Sequence, residues 1–150
     1  SLYLLPAIEE GIRREVFTRE FAYHVVQMVC EASGKAAFGE RYAIKAAREY
    51  LGVPQEIGED GRILGGIIEL DLQALNVEYE IEAFNKNEVI YVINRAGLEI
   101  TGAAMLPECH LWYWSGAVKT MINAQWKLWE ENSPEGKMRI KIAKKIDKFQ

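Results

Sequence analysis

Between Val77 and Ile93 the chain carries a β-hairpin whose two strands have different burial demands. Val77-Glu78-Tyr79-Glu80-Ile81-Glu82-Ala83-Phe84 alternates apolar and acidic residues, which predicts Val77, Tyr79, Ile81 and Ala83 inward and three glutamates on a solvated face. Asn85-Lys86-Asn87 supplies turn residues that tolerate a left-handed backbone. Val89-Ile90-Tyr91-Val92-Ile93 then returns apolar on both faces, a pattern that fits a strand inside a sheet better than one at its edge.

A second hairpin signal closes the chain. Lys127-Leu128-Trp129-Glu130-Glu131 reads as a strand, Asn132-Ser133-Pro134-Glu135-Gly136 as a turn, and Met138-Arg139-Ile140-Lys141-Ile142 as a strand. The basic residues of that last strand are expected to shield an outer strand from pairing with other chains. Between the hairpins a helical pattern runs from about Leu111 to Gln125, packing through Leu111, Trp114, Val118, Met121 and Ile122.

The first half is helical. Pro6 suits a first turn, and Ile8, Ile12 and Val16 carry a helix to about Phe17. Thr18 caps a second helix, or sits inside a longer one, whose apolar positions Phe21, Val25, Met28 and Val29 lead to Ser33, with Gly34 as the stop. A helix rich in small residues follows from Ala36 to Tyr50 and ends at Gly52 and Pro54. Asp60 is a candidate N-cap for a further helix with Ile63, Leu64, Ile67, Ile68, Leu72 and Leu75 on one face, although Ile68-Glu69-Leu70-Asp71-Leu72 alternates locally like a strand. The expectation is a single α+β domain over residues 1–150: N-terminal helices packed on an antiparallel sheet of two β-hairpins with a helix between them.

Composition narrows the partners. A net charge of −4 argues against a nucleic-acid surface, and no stretch is apolar for long enough to cross a membrane. Ser1-Leu2-Tyr3-Leu4-Leu5 lacks the basic region of a signal peptide. Two cysteines, Cys30 and Cys109, are too few for a disulfide framework and lack zinc spacing, so reduced thiols in a cytoplasm are expected.

Chemistry concentrates in Pro107-Glu108-Cys109-His110-Leu111-Trp112-Tyr113-Trp114-Ser115-Gly116, where Cys109 stands at the entry to a helix. A thiol there feels the positive end of the helix dipole and unpaired N–H groups, which favour thiolate; the alternative is a buried cysteine acting as a small hydrophobe. His110 is adjacent, but neighbouring helical residues point about 100° apart, so the pair is no dyad by adjacency. His24, with Glu20 one turn earlier to orient it, is the better candidate base. Glu108, His110, Glu20 and His24 could together suit a divalent ion, yet no spacing forces one, and no metal or cofactor is expected. Trp112, Tyr113 and Trp114 can line a pocket for a flat apolar ligand or simply fill the core. Gly61-Arg62-Ile63-Leu64-Gly65-Gly66 matches no phosphate-binding loop, and no nucleophile elbow is present.

The element order, with Leu70-x-x-x-x-Leu75-Asn76-x-Glu78, the hairpin, and then Cys109 followed by Tyr113-Trp114-Ser115-Gly116, resembles the 4-vinyl reductase domain family. A comparable layout resembles the L-2-amino-thiazoline-4-carboxylic acid hydrolase-like family. The resemblance spans roughly residues 34–143. It implies a small-molecule-binding domain, or a cysteine-dependent hydrolase acting on a C–N bond. The chain departs from both in residues 132–140, where those families carry further cysteines and this one has none. The expected function is therefore binding of a small apolar or aromatic molecule in an internal pocket bounded by Cys109, Trp112, Tyr113, Trp114 and the loop before Pro107, with Glu108 and Glu20 contributing. The alternative is a hydrolase with Cys109 as nucleophile and His24 or His110 as base. A third is a structural subunit in a homo-oligomer, formed through the small-residue helix from Ala36 to Ala47.

Overall fold

The computed structural model describes residues 4–37, 60–99, 106–121 and 126–145. Along them run helices α1 (Leu4–Arg13), α2 (Arg19–Ala37) and α3 (Gly61–Ala74), then strands β1 (Tyr79–Phe84) and β2 (Glu88–Asn94). The short helix α4 (Arg95–Glu99), helix α5 (Pro107–Met121) and strands β3 (Trp126–Glu130) and β4 (Lys137–Lys144) complete the order. The fold is α+β, with an antiparallel four-stranded sheet ordered β1-β2-β4-β3. No described helix is long and apolar enough to cross a membrane. The expected small-residue helix from Ala36 to Tyr50 falls almost entirely outside the described residues.

Local chemistry sets the helix starts. The Thr18 hydroxyl accepts the Phe21 N–H at 3.2 Å, and the Asp60 carboxylate accepts the Arg62 N–H at 3.0 Å, so both caps expected from the sequence are formed. At the competing stretch Ile68–Leu72 the helix wins, because Leu64, Ile68 and Leu72 together make a buried stripe that a five-residue strand could not supply. Asn76, at φ 56°, then turns the chain out of α3 toward β1.

The sheet corrects three expectations. Strand β4 is interior, paired with β2 on one side and β3 on the other, so Arg139 and Lys141 do not guard an edge. They neutralise carboxylates instead: Arg139 meets Glu82 at 2.7 Å and Glu131 at 3.2 Å, and Lys141 meets Glu88 at 3.5 Å. In β1 a bulge between Ile81 and Ala83 breaks the alternation, so Ala83 pairs with Ile90 and Phe84 with Val89, while Ile81 remains half exposed on this edge strand. At the hairpin turn the left-handed backbone is not needed; the Asn85 side chain accepts the N–H groups of Asn87 and Glu88 at 2.9 and 3.0 Å.

One sheet face is buried through Val89, Tyr91, Ile93, Leu128, Met138, Ile140 and Ile142, covered by α3 and α5. Gly65 lets α3 settle on β2: a side chain there would lie 2.9 Å from both Val89 and Tyr91, and the Tyr91 hydroxyl donates to the Gly65 carbonyl at 2.8 Å. Helix α5 is the middle layer, with Trp114 and Val118 turned to the sheet and Cys109 and Trp112 turned to α2.

The second helix departs most from expectation. Its buried positions are Ala22, Val26 and Gly34, whereas Phe21 and Met28 stand 56% and 57% exposed. Gly34 does not stop the helix, which runs three residues further; it admits α5. A β-carbon on Gly34 would run into the Tyr113 carbonyl, and one on Gly116 into the Glu31 carbonyl, so the two helices cross backbone to backbone through reciprocal glycines. Gly34→Ala should therefore destabilise the protein by roughly 1–3 kcal/mol through overpacking. Gly66→Ala, whose new methyl meets nothing within 4 Å, should instead gain up to about 1 kcal/mol of helix propensity. Urea denaturation of the two variants beside the parent checks both signs.

Candidate functional site

Pro107 is the first residue of α5, so the helix begins before Leu111 and takes Cys109 into its first turn. Leu106 precedes it, and the Leu106 N–H is directed at the Cys109 sulfur. Cys109 is buried, 3% exposed, in an apolar cluster with Ala22, Val26 and Trp112, against which Ile12, Phe17 and Cys30 pack. This cluster is separate from the one between the helices and the sheet. Tyr23 covers Trp112 edge-on, with ring centroids 4.8 Å apart and planes at 88°.

Cys30 and Cys109 stand far apart in sequence, but the fold packs Cys30 against the cluster that holds Cys109. Donation from the Cys30 thiol is the main influence lowering the Cys109 pKa, to about 7; burial opposes it and the Leu106 N–H assists. Cys30 moves the other way, held protonated by that same bond, by burial and by the negative charge beside it. A signal for Cys30 existed in the spacing Ala22, Val26, Cys30 and Gly34, one stripe at intervals of four, but the larger Phe21 and Met28 beside it masked it.

The candidate bases are placed elsewhere. His24 is exposed and lies two residues from both Ala22 and Val26, so its side chain leaves α2 on the side opposite Cys109; Glu20 is also exposed. His110 is half-buried, bonded to the Leu98 backbone carbonyl, and tilted against Trp114 with centroids 5.8 Å apart. Burial holds its pKa below the ordinary 6.5, so the ring is neutral near pH 7.

Nor do the other proposed lining residues all face one space. Trp114 points to the sheet side, its indole N–H donating to Asp71 at 2.9 Å, and Tyr113 packs against the same core. Glu108 is taken by Arg95 at 2.8 Å, and Arg95 also holds Glu130 at 2.6 Å, a chain that ties the start of α5 to the sheet. Among the described residues no group of three His, Cys, Asp or Glu side chains is placed to hold a metal ion. An open cleft of about 500 Å³ lies at the α1–α2 junction, lined by Glu9, Glu10, Ile12, Arg13 and Arg19. Ile12 belongs both to its wall and to the shell packed on the Cys109 cluster.

Comparison with protein-family models, with curated proteins and with solved structures finds no significant match to this chain.

The neutral His110 ties stability to pH. Below pH 6.5 the unfolded chain takes up a proton that the buried ring resists, so its contribution is complete above that value and is lost as the pH falls toward the lower folded value. Urea midpoints between about pH 7 and 5 should fall less steeply in His110→Gln, which can still donate to the Leu98 carbonyl. An unchanged slope would count against this assignment.

Proposed function

We propose that this chain is a small-molecule-binding domain of 4-vinyl-reductase-like type, taking an apolar or aromatic ligand in the α1–α2 cleft with the Cys109 cluster behind it. The observation that carries the reading is Ile12, shared between the cleft wall and the cluster of Cys109, Trp112, Ala22 and Val26. The cleft volume lies within the range of ligand sites, and a bound apolar group could displace Ile12 or Phe17 to reach Trp112. Reduced Cys30 and Cys109 fit a cytoplasmic setting, and the net charge of −4 fits a small-molecule partner better than a nucleic acid.

Hydrolysis of a C–N bond has less support. It needs a base within reach of Cys109, and neither His24, exposed on the far side of α2, nor His110, bonded to the Leu98 carbonyl, is turned toward the thiol. Binding needs no base: Glu9, Glu10, Arg13 and Arg19 form the entrance, and the apolar surface lies behind Ile12.

Titration with 1-anilinonaphthalene-8-sulfonate, a flat aromatic probe, tests the reading. Saturable binding at one site per chain is expected. Ile12→Asp should weaken it by roughly tenfold or more, while Ile81→Asp, on the distant edge strand, should leave it unchanged. Weak unsaturable binding, or equal affinity in both variants, would count against the cleft.

A further inference from the structure

We propose that Cys30 and Cys109 form a redox-active dithiol, which a hydroperoxide converts to an intramolecular disulfide fastening α2 to α5 and which a dithiol reductant reopens. The pairing is one of position: two thiols from helices distant in sequence meet at one apolar cluster, Cys109 buried within it and Cys30 packed against it. The glycine crossing of Gly34 and Gly116 brings the same two helices as close as backbones allow.

The two thiols have different environments suited to successive roles. Cys109, in the first turn of α5 with the Leu106 N–H and the Cys30 thiol directed at it, is the one more readily ionised. Cys30 keeps its proton and is only half-buried, so the pair meets solvent on its side. The Cys109 thiolate attacks an oxygen of the hydroperoxide, the O–O bond breaks, and Cys109 becomes a sulfenic acid while the leaving alkoxide takes the Cys30 proton. The Cys30 thiolate then attacks the Cys109 sulfur and expels hydroxide, which a solvent proton converts to water. Two electrons pass from the thiols to the peroxide, and the products are a disulfide, an alcohol and water. When the oxidant is hydrogen peroxide, the alcohol is a second water. Neither step uses a histidine, which agrees with the placement of His24 and His110. The chemistry is independent of whether the α1–α2 cleft takes a ligand.

The test treats the full folded chain with hydrogen peroxide near neutral pH, follows free thiols and intact mass, and maps disulfide-linked peptides. One equivalent should remove both thiols, lower the mass by two hydrogens, yield a Cys30–Cys109 linked peptide in a monomeric chain, and be reversed by dithiothreitol. With Cys30→Ser, Cys109 should stop at a sulfenic acid trapped by dimedone, and should form it roughly tenfold more slowly because its thiolate loses a hydrogen-bond donor. With Cys109→Ser, Cys30 should stay unoxidised. The parent chain decides the matter even if either variant folds poorly. Thiols that survive peroxide until urea unfolds the chain, disulfides formed only between chains, or Cys109 carried to sulfinic acid beside an intact Cys30 would each overturn the proposal.

Discussion

The arrangement depends on the crossing of α2 over α5. Helix α5 already spends one face on the sheet through Trp114 and Val118, so its other face can be covered only by an element that approaches without large side chains of its own. Gly34 and Gly116 meet that demand reciprocally, each sitting where the other helix presents a backbone carbonyl. The close approach leaves little room for large groups, and the interior there is filled by Ala22, Val26, Cys109 and Trp112. A chain built this way has two apolar interiors separated by one helix. The larger supports the sheet; the smaller holds the thiols.

Much of the fold was legible because its signals are local. Caps at Thr18 and Asp60, the presence of a strand after Val77, and the both-faced apolar run of β2 each depend on residues within a few positions of one another. The errors arise where distant pairing decides. Arg139 and Lys141 alternate with apolar residues as they would on a solvated edge, and only the pairing of β4 with both β2 and β3 shows that they bridge glutamates from neighbouring strands. Gly34 carries the composition of a helix stop, and nothing near it indicates that Tyr113 lies against it. On α2 hydrophobicity favours Phe21 and Met28, while packing favours the small stripe, since at a backbone-close crossing volume matters more than transfer free energy.

The candidate site divides the same way. That Cys109 stands at a helix entry could be read from the apolar pattern that begins at Leu111, and with that came the expectation of an activated thiol. Its partner could not, because Cys30 and Cys109 meet only through the helix crossing. The imidazoles were chosen as bases for their chemistry and their neighbours in sequence, yet His24 is turned away by helical geometry and His110 is committed to Leu98. A histidine in the same helix as a site is as readily on the wrong side of it.

The two faces of α5 also differ in how they are held. Toward the sheet, Trp114 is buried and bonded to Asp71, and Glu108 is bound through Arg95 to Glu130, so moving α5 off the sheet breaks charge-assisted bonds as well as a large apolar contact. Toward α2, the fully buried positions contributed by that helix are two small apolar side chains, Ala22 and Val26, and Gly34, supplemented by the Glu31–Lys119 ion pair at 3.6 Å. The α2 side is thus held by close backbone packing at the glycine crossing, and the sheet side by large buried side chains and charged bonds. Separating α2 from α5 would uncover Cys109 and Trp112 while leaving the sheet core closed. A ligand inserted between the helices favours the open arrangement, and a covalent bond between Cys30 and Cys109 favours the closed one.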